Sequence, residues 1–85
     1  MNAPATGFSL SDGWDLSGLS LTELWLAYLA LGGTASSGQV AAYARGRARP
    51  DSHQHNLIAQ AINDHFVGLG EDHPVGYRDI PFSRT

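Results

Sequence analysis

Three arginines, Arg45, Arg47 and Arg49, alternate with small residues just ahead of Pro50. Guanidinium forks at that spacing suit contact with backbone phosphates. Ser52, His53, Gln54 and Asn56 follow at once, neutral donors and acceptors of the kind that pair with base edges. Such a pairing fits a nucleic-acid contact. It fits equally a solvated arginine turn on a protein-interaction domain. No Arg or Lys stands between residues 51 and 66, so phosphate neutralisation, the usual main source of affinity, would rest on the three arginines alone. A dimer would double that count.

Other chemistry finds less support. His53 and His55 are two apart and diverge on a helix, and His65 and His73 recur at no metal-site spacing. No metal or other cofactor is expected. No serine sits in a strand–turn–helix elbow, and Gly68-Leu69-Gly70 follows a helix where a phosphate loop would open one. The chain is therefore read as non-enzymatic.

Helices must position these side chains. Ser20 and Glu23 form a capping-box pattern with a staple of Leu19 and Leu24, and the helix runs to Gly32-Gly33. Apolar side chains surround it: Leu21, Leu24, Trp25, Tyr28 and Leu31 share one face, with Leu26, Leu29 and Ala30 elsewhere. A helix apolar nearly all round needs cover on more than one side. Trp25 and Tyr28 read most simply as core. Trp25, Leu26, Tyr28 and Leu29 are also the candidate interface of a homodimer, since aromatic groups dominate such contacts. A short helix lies within residues 34–46, capped at Ser36-Ser37, with Val40, Tyr43 and Ala44 inward. A longer one spans residues 51–68, its stripe formed by Leu57, Ile58, Ala61, Ile62, Phe66 and Leu69. Gln54, Asn56, Gln60, Asn63 and Asp64 are expected outward.

Residues 34–66 resemble small bacterial helix-turn-helix regulators, on Val40, Ala41, Ala42, Gly46 and the Leu57/Ile58/Ile62 stripe. The resemblance implies transcriptional regulation through DNA or another regulator. Arg45, Arg47 and Arg49 would then meet phosphates, and Ser52, His53, Gln54 and Asn56 the bases. The alternative is a protein–protein adaptor with no nucleic-acid contact.

Eighty-five residues allow one small core. The net charge of -3 is unlike the strongly basic balance of many nucleic-acid proteins. Absence of cysteine removes disulfides and thiolate chemistry. The longest apolar run, residues 24–31, falls far short of the roughly 20 residues a membrane span needs, and no leader pattern opens the chain. The expectation is a cytoplasmic, all-α domain of three helices over residues 20–70. An N-terminal arm over residues 1–19 and an extended tail over residues 71–85 would flank it. In the arm, Trp14 and Leu16 are expected to pack back, and Phe8 and Leu10 could pair with the tail as a ribbon.

Overall fold

The computed structural model describes residues 9–70 and 75–76. Four helices follow in order: α1 Leu10–Ser17, α2 Leu21–Ala30, α3 Ser37–Ala44 and α4 Ser52–Gly68. No strand occurs among the described residues, so the chain is all-α. None of the described helices is long and apolar enough to cross a membrane.

Each helix starts on the same device. Ser9, Ser20, Ser36 and Asp51 hold extended backbone, and each side-chain oxygen accepts the amide three residues on, at 2.8–3.2 Å. That satisfies one orphan donor per helix. At α2 the box is complete, because the Ser20 amide donates to Glu23 Oε1 at 2.8 Å. At α4 the cap is Asp51.

Helix α1 corrects the expectation of three helices. Residues 10–17 form a helix in place of an extended arm, with Leu10 as its first residue and Gly18 in left-handed conformation as its stop. Gly13 sits mid-helix, where glycine costs about 1 kcal/mol relative to alanine. Close packing explains it: a Cβ there would lie 2.3 Å from Val75 Cγ2 and 3.3 Å from Ile62 Cγ2. Trp14 packs inward as expected, 7% exposed, and its indole N–H donates to Leu19 O at 2.7 Å. Leu16 does not; it is 59% exposed. Leu10, expected in a ribbon with the tail, is instead helical and buried, while Phe8, Tyr77, Ile80 and Phe82 lie outside the described residues.

Helix α4 is the centre, touching each of the other helices. Leu57, Ile58, Ala61, Ile62 and Phe66 are buried as the stripe predicts, and Gln60 and Asp64 are exposed. Leu69 falls past the helix end and is exposed. Ala59 and Asn63 are also fully inside, so the middle of α4 is enclosed on nearly every side. For Asn63 this corrects the outward placement; its burial follows from a main-chain partner at Val75. Helix α2 runs antiparallel to α4, with Tyr28 near the α4 start and Glu23 within the field of His65.

Two consequences are measurable. Ile62→Ala removes buried methyls from the helix every other element rests on and should cost about 2–5 kcal/mol, a large share of a small domain's stability. Gln60→Ala should leave the melting temperature nearly unchanged; the reverse ranking would place α4 in the wrong phase. The second concerns acid. The Ser20 backbone amide, then its hydroxyl, hold the Glu23 carboxyl below its ordinary value of 4.5. A depressed folded value means the capping contribution is whole above that value and is lost as pH falls through the lowered one. Glu23→Gln should therefore flatten the acid limb of a melting-temperature profile; an unchanged limb would show the box to be idle.

Candidate interaction surface at the arginine turn

The turn between α3 and α4 is fixed by main-chain bonds. Gly46, at φ 79, follows the α3 cap. The Arg47 amide donates to Ala42 O at 2.9 Å and the Gly46 amide to Tyr43 O at 3.3 Å. This is a Schellman closure, which ties off the carbonyls at the end of α3. Pro50 is buried, and Asp51 then caps α4.

The three arginines do not act alike. Arg45 turns onto α1, its Cζ 4.1 Å from the centroid of the Trp14 ring. One terminal nitrogen pairs with Asp15 Oδ1 at 2.9 Å, and the other donates to the hydroxyl and carbonyl of Ser11. It bolts α3 to α1. Arg47 and Arg49 are exposed, and their guanidinium groups make no hydrogen bond or ion pair among the described residues. They stand on the rim of an open cleft of about 580 Å³ whose sides include Leu10, Ser11, Tyr43, Pro50 and His55.

Residues at the start of α4 are unequally available. His53 is exposed and Ser52 half-buried. Gln54 is spent inside: its side-chain oxygen accepts the hydroxyl proton of Tyr28. Asn56 is half-buried and already engaged. His55 directs Nε2 at Gly76 O, 3.0 Å away.

Tyr28 controls this end of the molecule. Its side chain is fully buried. Besides donating to Gln54, its hydroxyl accepts the amides of Thr34 at 3.1 Å and Ala35 at 2.9 Å. Gly33 lies flat beneath the ring, where a Cβ would come within 2.2 Å of Cζ. Trp25, half-buried, adds an indole bond to Ala35 O at 3.0 Å. Of the side chains considered for a dimer contact, Tyr28 is thus wholly interior and Leu29 half-buried, while Leu26 is 54% exposed.

Among the described residues, no three His, Asp or Glu side chains come together as a metal-binding group. What the cleft offers is two exposed guanidinium forks beside an apolar wall, a combination suited to acidic groups carried on a partly apolar ligand. No family model, curated protein or solved structure matches the chain.

The unequal arginines make a prediction about stability. Arg45→Ala should lower it by about 1 kcal/mol, the scale of a partly exposed cation–π contact and ion pair, and should red-shift tryptophan fluorescence as Trp14 meets water. Arg47→Ala and Arg49→Ala should melt like the parent. Tyr28→Phe should cost more than Arg45→Ala, because each buried group left unpaired costs about 1–3 kcal/mol. Equal melting of all three arginine variants would deny Arg45 its bolting role.

Proposed function

We propose that this chain is a non-enzymatic regulatory binding module that recognises an acidic segment of a protein partner in the cleft at the arginine turn. One observation carries the reading. The Arg47 and Arg49 side chains are exposed, have no hydrogen-bond or ion-pair partner among the described residues, and line a cleft with apolar residues in its wall. Acidic residues on a partly apolar segment complement both features.

The second reading is a helix-turn-helix regulator acting in transcription through DNA. The order α3, arginine turn, α4 and the exposure of His53 at the start of α4 favour it. Against it, Gln54 is committed to Tyr28 and Arg45 to α1, which leaves two of the three turn arginines for phosphates. The middle of α4 is core rather than groove-facing surface. A cytoplasmic location and a homodimer through Leu26 and Leu29 belong to either reading, and the exposure of Leu26 supports the second of these.

Salt separates the two. Two phosphate contacts per chain give a log–log salt slope of about -1.8 on duplex DNA, so binding at physiological salt should be barely measurable. A short peptide alternating glutamate with leucine should bind more tightly than a duplex in the same buffer. Replacing Arg47 and Arg49 together by Ala should weaken the peptide by about tenfold for each charge-assisted hydrogen bond removed. Tight duplex binding that collapses with salt, with no peptide binding, would replace this reading by the DNA one.

A further inference from the structure

Asn63 is the one fully buried side-chain amide in the described core, and it serves no helix. Its Nδ2 donates to Val75 O at 2.8 Å, and its Oδ1 accepts the Val75 amide at 3.0 Å. Both halves of the amide are thus spent on the main chain of one residue, twelve positions on. That pattern reads an extended backbone whatever side chain it carries, as an added strand would be read. The side chain is selected separately. Val75 is 1% exposed, in a pocket that exists because residue 13 has no Cβ. One residue further, His55 Nε2 meets Gly76 O. The groove between α1 and α4 therefore recognises an extended segment with a small branched apolar side chain followed by glycine.

The same His55 borders the arginine cleft. A segment seated at Asn63 is delivered at Gly76 to the edge of the surface carrying Arg47 and Arg49. A peptide continuing from that glycine with acidic residues would complement those cations.

We infer that the α1/α4 groove is a peptide-binding site held in cis by Val75-Gly76, and that its ligand is a partner protein's extended Val-Gly segment continuing into acidic residues. The inference rests on the reading of the cleft as an acceptor of acidic groups. Among the described residues, Val75 and Gly76 contribute one buried apolar side chain and three hydrogen bonds, a small hold compared with a packed helix face and one that a segment offering the same contacts plus acidic groups can contest. A second copy of this chain brings only the same tail, and gains nothing over the tethered one.

The test uses the full chain and labelled peptides followed by fluorescence anisotropy. The first peptide reads Asp-His-Pro-Val-Gly-Glu-Glu; the second is identical with Asp in place of Val. The first should bind the parent, and should bind Val75→Asp about tenfold or more tightly, since apparent affinity falls with the fraction of grooves that stand open. The second should bind both at least about tenfold more weakly, because it lacks the buried anchor. Replacing Arg47 and Arg49 by Ala should weaken the first peptide while leaving its preference over the second. Val75→Ala, a milder opening of the pocket, should give an intermediate affinity and serves if Val75→Asp unfolds. Equal binding of the two peptides by the parent would overturn the groove while leaving the acidic cleft standing. A Val-dependent peptide indifferent to both arginines would overturn the cleft and, with it, the acidic part of this ligand. A Val-containing peptide that binds neither parent nor opened variant would overturn the site.

Discussion

A single buried hydroxyl organises the end of the molecule where binding is proposed. Tyr28 is fully enclosed, and its oxygen uses every hydrogen-bonding capacity it has, donating to Gln54 and accepting from Thr34 and Ala35. An unpaired hydroxyl in that position would be costly, so the loop after α2 and the first turn of α4 are held to it together. Gly33 completes the constraint, since no larger residue leaves room for the ring. From these contacts follow the place where α3 begins, the place where α4 begins, and hence the direction of the turn between them.

The turn then divides its cations. Arg45 is the last residue before the Schellman closure, and its side chain falls on the α1 side, over Trp14. Each contact it makes is weak where water reaches it. The set still matters, because the described part of α1 is short and carries a glycine in its middle. The Arg47 and Arg49 side chains have no such partner among the described residues. One basic cluster in sequence thus becomes a structural cation and a pair of solvent-facing ones.

What is legible in the sequence is local. Ser20 with Glu23, Ser36 and Asp51 each mark a helix start because the cap needs only residues three positions apart. The Ile58/Ile62 stripe identifies the inner face of α4 because one helical period decides it. Helix α1 escapes such reading although Ser9 and Asp12 carry a cap pattern, since Gly13 breaks the propensity and the reason for Gly13 lies in Val75, far along the chain. Asn63 misleads for a related reason. A polar side chain on an amphipathic helix reads as outward, and only a distant main chain reverses that. At the site, the exposure of Arg47 and Arg49 agrees with their polarity, whereas the commitments of Arg45 and Gln54 depend on α1 and α2 and are invisible in their sequence neighbours.

The Tyr28 hydroxyl and the Asn63 amide, two of the buried polar groups among the described residues, are bonded to main chain of segments outside their own helices. An apolar core of this size holds helices together but says little about where loops and tails must lie, because apolar contact is non-directional. Hydrogen bonds to a buried backbone are directional and costly to leave unmade, so they fix position more than they add net stability. The small apolar core therefore serves cohesion, while Tyr28 and Asn63 serve placement. Tyr28 fixes a loop that is continuous with the helices on either side and has no competitor. Asn63 fixes a segment joined to the helices through the chain that follows α4, using main-chain groups that any extended peptide also possesses. The same device is permanent in the first case and exchangeable in the second, and that difference in tethering is what turns a packing detail of α4 into a receptor.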